Sequence, residues 1–390
     1  MCKLIVTFFL SIFSSGLFVE SGYAEILAMV NYHSRAPETL KTFKLTGSRE
    51  PKEGIFILDV DPNSPQFAKT LMEIPLPSDF LSGKIFYDKI KTKAYVTSRG
   101  KSEMLVFKLD EFPFRLRKVS LPNCKVGQNL VFSEDNLKWF LTCRMSERVL
   151  IGRVDNDEVE KIIEIKDSYP HDVVILDKTS QLVVSSSLST DYSNPHDFIC
   201  IIDINLGREI FRQKVSKGGG GKPLAPADLL LMPKTLIPTI YIATIKGDSL
   251  LVATLGQQSK KFKIEQVFDF RSVNAGMPQE LSYDALRKRL YVTTASKGEV
   301  YFFDVSMNAL RPKYKKIIKT GSGANQIALT SDGRYGYIPN ALFNFPGLAD
   351  GSISVIDLNS FKVIRTMENF KVSGFNPNSI AFFPRTQSKR

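Results

Sequence analysis

Short apolar runs recur along the whole chain, and polar or turn-forming residues separate them. The runs are four to seven residues long, rich in Val, Ile, Tyr, Phe and Thr, and bounded by Gly, Asp, Asn, Ser or Pro. Such runs are typical of β-strands, because branched and aromatic side chains pack well on a pleated surface. Helical periodicity is almost absent. The pattern therefore predicts an all-β fold built from many short strands.

The predicted strands fall into a unit that repeats. A small or polar pair precedes an apolar first strand, a second strand of the Leu-Tyr-Val-Thr type follows a turn, a third strand ends near Asp, and a more polar fourth strand closes the unit. One clear copy begins with Gln279–Glu280 and continues through Arg289–Thr293 and Glu299–Asp304. The first strands begin near residues 84, 130, 173, 229, 281, 327 and 380. A spacing of about 45 residues is the period of the four-stranded blades of β-propellers.

The last copy of the unit is incomplete, and the missing strands lie at the other end of the chain. The segment after Asn378 supplies only a first strand, whereas Ile26–Val30, Ile55–Val60 and Phe67–Ile74 are predicted as a second, third and fourth strand. Pairing of the two ends would close a ring and leave only short sheet edges exposed. We therefore predict a single domain over residues 25–390, a seven-bladed β-propeller closed by pairing of its N- and C-terminal strands. Two stacked β-sandwiches are the alternative.

Several stretches of the repeat resemble known families. Tyr291–Thr294 and the turn Ser331–Tyr335 resemble the YVTN-type repeats of secreted bacterial propellers. The segment Asp59–Phe67, followed by Ile74–Pro77, resembles the first blade of the selenium-binding protein and methanethiol oxidase family. This second resemblance implies a propeller with selenium or metal chemistry. The Cys-x-x-Cys and His-x-x-His signatures that bear on that chemistry in the family have no counterpart in this sequence.

The first residues of the chain have the order of an export signal. Met1–Lys3 is a short, mildly basic start, Leu4–Val19 is apolar, and Gly22–Ala24 offers small residues at the positions that a signal peptidase reads. We predict a signal peptide over residues 1–24 and a periplasmic or secreted mature protein. A membrane anchor is the alternative, although the apolar run is short for a spanning helix.

The charge of the chain favours anionic partners. The sequence has 52 Lys and Arg against 40 Asp and Glu, a formal net charge of +12, and its hydrophobic fraction of 43% is ordinary for a globular protein. The densest basic cluster is Lys313, Lys315, Lys316 and Lys319, followed by Lys260, Lys261 and Lys263. Both clusters fall in predicted outermost strands, where they form either a solvated rim or a patch for acidic envelope polymers or lipids. Export argues against nucleic acid as the main partner.

The repeat predicts which polar side chains meet at the mouth of the central channel. Loops that join a fourth strand to the next first strand lie on one face of a propeller, so the polar pairs that open the first strands form a ring there. The ligand-binding residues predicted on this face are Gln128, His171, Asp172, Asp228, Gln279, Asn325, Asn378 and Lys222. The expected ligand is an envelope protein or a small anion.

The three histidines of the chain all fall on the predicted mouth face. His171 and His196 belong to one predicted blade, each is preceded by Pro and followed by Asp, and His33 lies across the ring. Imidazole and carboxylate groups together can hold a divalent transition metal or move protons near neutral pH. A divalent metal held by His171 and His196 is therefore a candidate cofactor. The other interpretation is that these histidines are polar wall residues.

The segment Gly218–Gly221, followed by Lys222 and Pro223, does not form a phosphate-binding P-loop. Its glycine spacing differs from that motif, and Pro stands where Ser or Thr is required. A flexible loop on the mouth face is the expected structure.

Three cysteines follow the predicted signal peptide. Cys124 and Cys143 fall on the same face of neighbouring antiparallel strands, so we predict a disulfide between them. Cys200 lies in a predicted third strand and is expected to be a buried apolar residue.

The sequence leaves two classes of function open. The absence of a recognisable catalytic motif favours a non-enzymatic binding module that acts through the polar mouth of the channel. The alternative is a metal-assisted enzyme at the mouth, such as a lyase, a lactonase or an oxidase of the selenium-binding type, and it depends on His171, His196 and the Asp residues that follow them. A fold alone does not choose between these classes.

Overall fold

The chain folds into seven four-stranded antiparallel sheets arranged in a ring. The structure is a computed structural model, and it describes residues 26–35, 52–110, 115–216, 222–256, 261–342, 345 and 347–383. The predicted signal peptide and Gly218–Gly221 lie outside the described residues. The prediction of a seven-bladed β-propeller is confirmed, and the two-sandwich alternative is excluded.

Each sheet forms one blade, in which the strands follow one another from the channel to the rim. Blade 1 contains β28 (Phe375–Phe382), β1 (Leu27–Ser34), β2 (Glu53–Asp59) and β3 (Thr70–Leu76). Blade 2 contains β4 (Ser82–Tyr87), β5 (Lys93–Ser98), β6 (Glu103–Lys108) and β7 (Arg115–Ser120). Blade 3 contains β8 (Gly127–Phe132), β9 (Lys138–Cys143), β10 (Arg148–Arg153) and β11 (Val159–Glu164). Blade 4 contains β12 (Pro170–Leu176), β13 (Gln181–Leu188), β14 (Pro195–Asp203) and β15 (Arg208–Lys214).

The remaining three blades follow the same order. Blade 5 contains β16 (Pro226–Leu231), β17 (Thr239–Thr244), β18 (Ser249–Leu255) and β19 (Phe262–Asp269). Blade 6 contains β20 (Pro278–Asp284), β21 (Arg289–Thr294), β22 (Glu299–Asp304) and β23 (Lys313–Lys319). Blade 7 contains β24 (Ala328–Leu329), β25 (Tyr335–Ala341), β26 (Ala349–Asp357) and β27 (Lys362–Met367). A short helix, α1 (Asn369–Val372), and two 3₁₀ turns, Asp177–Thr179 and Phe270–Val273, complete the described elements.

The two ends of the described chain pair within blade 1. β28 lies antiparallel to β1, and the register places Ala28 opposite Phe382 and Val30 opposite Ile380. The last strand of the chain is therefore the innermost strand of the blade whose other strands come first. The predicted pairing of N- and C-terminal strands is confirmed.

The position of a strand in its blade explains its pattern of apolar residues. The second strand of a blade is covered on both faces by neighbouring blades, and β17 is accordingly buried along its whole length. An outermost strand borders solvent, and β7 has only one buried position. Apolar clusters fill the spaces between blades, so that each of the seven interfaces has its own core. Burial of these faces is the main stabilising term of the ring.

The described cysteines are arranged as predicted. Cys124, in the turn before β8, forms a disulfide with Cys143, the last residue of β9. Cys200 in β14 is buried and free, and burial raises the pKa of its thiol. Among the described residues, no helix is long and apolar enough to cross a membrane.

Candidate functional site

The predicted mouth residues lie at or just before the innermost strands, but they differ in exposure. Five of them are buried: Gln128, Asp172, Asp228, Gln279 and Asn378. His171 and Asn325 are half-buried, and Lys222, which precedes β16, is exposed. The repeat therefore located the start of the channel wall, whereas Lys222 extends into solvent.

The side chain just before the first apolar residue of an innermost strand accepts a backbone hydrogen bond from the next blade. Asp172 Oδ2 accepts the backbone N–H of Leu229 (2.6 Å), and Asp228 Oδ2 accepts that of Leu281 (2.8 Å). The same bond recurs from Ile327 to Glu280, from Ile380 to Gln326 and from Ile85 to Ser379. These side chains satisfy buried backbone donors, so they have a structural role whether or not they contact a ligand.

One ion pair spans the channel. Lys84 of blade 2 and Glu280 of blade 6 stand on opposite sides of the ring, and their Nζ and Oε2 atoms are 2.7 Å apart. Burial alone would lower the pKa of Lys84, but Glu280, Asp228 and Asp172 outweigh it and raise the pKa. The lysine therefore stays charged and neutralises part of the acidic channel wall.

Two neighbouring carboxyl groups lie beside this ion pair. Burial raises the pKa of both Asp172 and Asp228, and the charge of Asp172 raises the pKa of Asp228 further. Asp228 also forms a hydrogen bond with Asp172. Two buried carboxylates this close cannot both ionise easily, so the pair retains a proton to higher pH than an exposed carboxyl group would.

His171 and Gln128 contact each other at the mouth. Their Nε2 atoms are 3.4 Å apart, while Nδ1 of His171 and Oε1 of Gln128 are enclosed and have no hydrogen-bond partner among the described residues. Burial, followed by the charges of Arg144, Lys84 and Arg99, lowers the pKa of His171 well below its usual value. The imidazole is therefore neutral at neutral pH. Enclosed polar atoms usually have partners, so these two atoms are available for hydrogen bonds with water or a bound molecule.

Two arginines bring positive charge to the same side of the mouth. Arg99 follows β5 and Arg144 follows β9, in adjacent blades. Arg144 donates from Nε to the carbonyl oxygen of Leu188 (2.8 Å) and from Nη2 to that of Ser189 (2.9 Å), which fixes its guanidinium. Burial lowers the pKa of Arg99 to about 9, and the charge of Arg144 adds to this effect. Like charges held this close produce a positive potential at the mouth.

The two histidines of the predicted metal site have different partners. His171 faces Gln128, whereas Nδ1 of His196 lies 2.9 Å from Oγ of Ser186, and its ring packs 4.6 Å from that of Tyr169. Over the described ranges, no group of three or more His, Cys, Asp and Glu side chains is arranged to hold a metal ion. A metal held by His171 and His196 stays a prediction.

The third histidine is enclosed in β1. Burial lowers the pKa of His33 to about 4, and the charge of Arg99 contributes. His33 is therefore neutral at physiological pH and lies within the electrostatic reach of the arginine side of the mouth.

Sequence reasoning missed the two arginines, although the repeat contains a signal for them. They occupy the same place in two successive units, Tyr95–Arg99 and Phe140–Arg144, two residues after a Thr that bonds the innermost strand. A comparison of the second strands, in addition to the first strands, would have singled them out. Lys84 and Glu280 were also missed, because nothing local in the sequence indicates which blades face each other.

Comparison with known proteins supports the fold. No protein-family model matches the sequence, and no curated protein sequence matches it. Among solved structures, a hypothetical selenium-binding protein from Sulfolobus tokodaii superposes with a TM-score of 0.68 over 92% of this chain and 93% of its own, at 14% identity.

Two further structures are similar over most of their length. A periplasmic gluconolactonase from Pseudomonas aeruginosa has a TM-score of 0.64 and 13% identity, covering 92% of this chain and 99% of its own. Hydrazine synthase from Kuenenia stuttgartiensis has a TM-score of 0.57 and 16% identity, covering 79% and 92%. At these identities the similarity shows a shared fold, and this chain is a seven-bladed β-propeller.

Proposed function

We propose that this protein is a binding propeller whose channel mouth holds a small anionic ligand. The observation that carries the proposal is the convergence of Arg99, Arg144 and His171 on one side of the mouth. Nδ1 of His171 and Oε1 of Gln128 would contribute a polar rim, since both atoms are enclosed and have no hydrogen-bond partner among the described residues. A ligand that accepts from the guanidinium groups and bonds the imidazole would satisfy the site.

The balance of charge supports an anion over a cation. Glu280 is already paired with Lys84, and Asp228 tends to keep its proton because burial raises its pKa. The acidic groups of the channel wall are therefore largely neutralised, whereas burial lowers the pKa of Arg99 and the charge of Arg144 lowers it further. A guanidinium group binds carboxylate or phosphate oxygens with two parallel hydrogen bonds, which favours ligands of these two types.

The first test measures whether small anions stabilise the fold through these arginines. Citrate and inorganic phosphate are titrated at constant ionic strength while the melting temperature is recorded. A ligand at a hundred times its Kd should stabilise the wild type by about 2.7 kcal/mol. Arg144→Gln and Arg99→Gln should each weaken binding by about tenfold or more, because each removes a charge-assisted hydrogen bond.

Arg153→Gln provides the matched control. Arg153 is also an arginine of blade 3, but it ends β10 at the opposite face and pairs with Asp155. This variant should bind like the wild type. The proposal fails if neither anion binds, or if Arg144→Gln and Arg99→Gln bind the anions as well as Arg153→Gln does.

A second candidate function is acid–base catalysis at the same mouth. The shared proton of Asp172 and Asp228 supports it, because a carboxyl group with a raised pKa can act as a general acid. Glucono-δ-lactone hydrolysis by the wild type, lost in Asp228→Asn, would favour a lactonase. Stoichiometric divalent metal, lost in the double variant His171→Ala/His196→Ala, would favour the metal-assisted alternative.

The proposal also includes the cellular location of the protein and the source of its ligand. The predicted export signal over residues 1–24 supports a periplasmic or secreted protein, in which the ligand would be a small anion of the envelope or an acidic segment of an envelope protein. Expression of the full chain followed by cell fractionation tests the location.

A further inference from the structure

Three large apolar side chains extend into solvent at the face opposite the mouth. Leu236 is 98% exposed, Met307 is 95% exposed and Leu286 is 73% exposed. They lie on the β16–β17, β22–β23 and β20–β21 connections of blades 5 and 6. Because an innermost strand runs from the mouth to the opposite face, these connections all lie on that second face.

Contacts between the two blades hold these connections side by side. The hydroxyl of Tyr241 in blade 5 donates to the carbonyl oxygen of Ala309, two residues after Met307. Met232, which precedes the turn containing Leu236, belongs to the same apolar cluster as Ala309. Arg311 of blade 6 pairs with Glu265 of blade 5 at 3.2 Å. The exposed apolar side chains therefore stand on one braced surface.

Positive charge is concentrated in the same two blades. Residues 226–319 hold 15 Lys and Arg against 8 Asp and Glu, a net charge of +7 out of +12 for the whole chain. Lys234 neighbours Leu236, and Lys288 neighbours Leu286. Lys313, the first lysine of the basic cluster that the sequence indicated, begins β23 of blade 6 at this face.

Blade 3 provides a natural contrast. Leu137 occupies the corresponding β8–β9 turn and is 64% exposed, but Glu134 and Asp135 precede it. Asp155 and Glu158 in the β10–β11 turn add further negative charge at that end of the blade. Exposed apolar and basic side chains also occur together in blade 2, where Ile90 (67% exposed) lies between Lys89 and Lys91. The larger set is on blades 5 and 6, and we call it the basic apolar patch (Lys234, Leu236, Leu286, Lys288, Met307 and Lys313).

We propose that the basic apolar patch docks on the surface of a lipid bilayer that contains anionic phospholipid. Separate apolar side chains beside lysines suit a membrane interface, where the apolar groups enter the headgroup region and the cations meet lipid phosphates. An acidic polymer would leave Leu236 and Met307 in water. Docking through this face would leave the channel mouth on the opposite face open to its ligand.

The experiment is co-sedimentation of residues 25–390, the predicted mature protein, with phospholipid vesicles. We expect binding to vesicles of equal parts phosphatidylcholine and phosphatidylglycerol, little binding to phosphatidylcholine alone, and weaker binding as salt is raised. Leu236→Ser/Met307→Ser should lower the partition coefficient by about tenfold or more, because this variant lacks the two apolar side chains that move from water into the membrane when the wild type binds. Lys234→Gln/Lys288→Gln should lower it by about tenfold or more as well.

Leu137→Ser is the matched control, because it removes an equally placed side chain from an acidic surface and should leave partitioning unchanged. The proposal is overturned if residues 25–390 do not bind the mixed vesicles, or if Leu137→Ser reduces binding as much as Leu236→Ser/Met307→Ser does. Polyglutamate serves as the probe for an acidic polymer. If the chain binds it and Leu236→Ser/Met307→Ser sediments with the mixed vesicles like the wild type, the patch is a polymer site and the membrane proposal is wrong.

Discussion

At the scale of single residues, one repeat position serves two roles. Asp172 and Asp228 accept backbone N–H groups of the following blades, which is a fixed structural requirement. Burial also raises the pKa of both carboxyl groups, and the charge of Asp172 raises the pKa of Asp228 further. The amide or hydroxyl of Gln326 and Ser379 meets the structural requirement without this electrostatic cost. Acidic residues at these positions therefore carry an electrostatic cost, which the backbone hydrogen bonds and the charge of Lys84 offset in part.

The raised pKa of Asp228 predicts that Asp228→Asn changes the free energy of unfolding by an amount that depends on pH. A carboxyl group whose pKa is raised by folding stabilises the fold below its unfolded pKa near 4 and loses that stabilisation as the pH rises through the folded pKa. Asn keeps an oxygen for the N–H of Leu281 and offers an N–H to Asp172, as protonated Asp228 does. The variant should match the wild type near pH 4 and become more stable than the wild type toward pH 8. Urea unfolding at several pH values measures the difference.

Asp155→Asn is the control for this measurement. The hydrogen bond from Arg153 holds the pKa of Asp155 down at about 2, so its replacement should bring no gain in stability as the pH rises. A difference between the wild type and Asp228→Asn that stays constant from pH 4 to pH 8 would contradict the prediction.

At the scale of elements, the innermost strands were predictable because their sequence signal is local. A small or polar pair followed by a mainly apolar run recurs where strands begin at the channel, as at His171–Asp172 before Val173–Ile175. The bounds of β3 were less accurate, since the Asp61–Phe67 segment forms turns that delay the strand to Thr70. The Lys84–Glu280 pair was not predictable, because its partners are 196 residues apart and meet only after the ring has closed.

The disulfide between Cys124 and Cys143 allows a direct test of how the first two strands of blade 3 are joined. It joins the turn before β8 to the end of β9 across a sequence separation of 19 residues, and closing a loop of this length restricts the unfolded chain by about 3 kcal/mol. Cys124→Ala/Cys143→Ala should lower the free energy of unfolding by about that amount. Chemical denaturation measures the loss.

A reducing agent supplies the control for the disulfide. It should lower the melting temperature of the wild type and leave that of Cys124→Ala/Cys143→Ala unchanged, because Cys200 is free in both proteins. An equal effect of the reducing agent on the two proteins would show that the bond does not form.

At the scale of the whole molecule, all the interfaces between blades contribute to stability, but the ring is closed at a single place, where β28 pairs with β1. Every interface between blades has its own apolar core, so no single core dominates. Closure depends on β28, which the chain supplies last and which pairs with β1. β28 also carries Asn378, whose side-chain amide donates to the carbonyl oxygens of Ser82 and Gly83 in blade 2. The final strand thus links blades 1 and 2 as well as completing blade 1.

This dependence predicts that a chain ending at Gly374 will not keep a closed ring. Removing β28 would leave β1 as an unpaired inner edge and expose the apolar side chains of Val30 and Tyr32, which are buried in the intact ring. The loss should exceed about 5 kcal/mol, the lower end of the stability of a typical domain, so the shortened chain should aggregate. A chain ending at Phe383 retains β28 and should elute as the full chain does in size-exclusion chromatography. A synthetic peptide of residues 375–383 added during refolding should return part of the shortened chain to the monomer peak, since the missing strand is then supplied in trans. If the chain ending at Gly374 is instead monomeric and melts at the same temperature as the longer control, then the terminal strands do not close the ring.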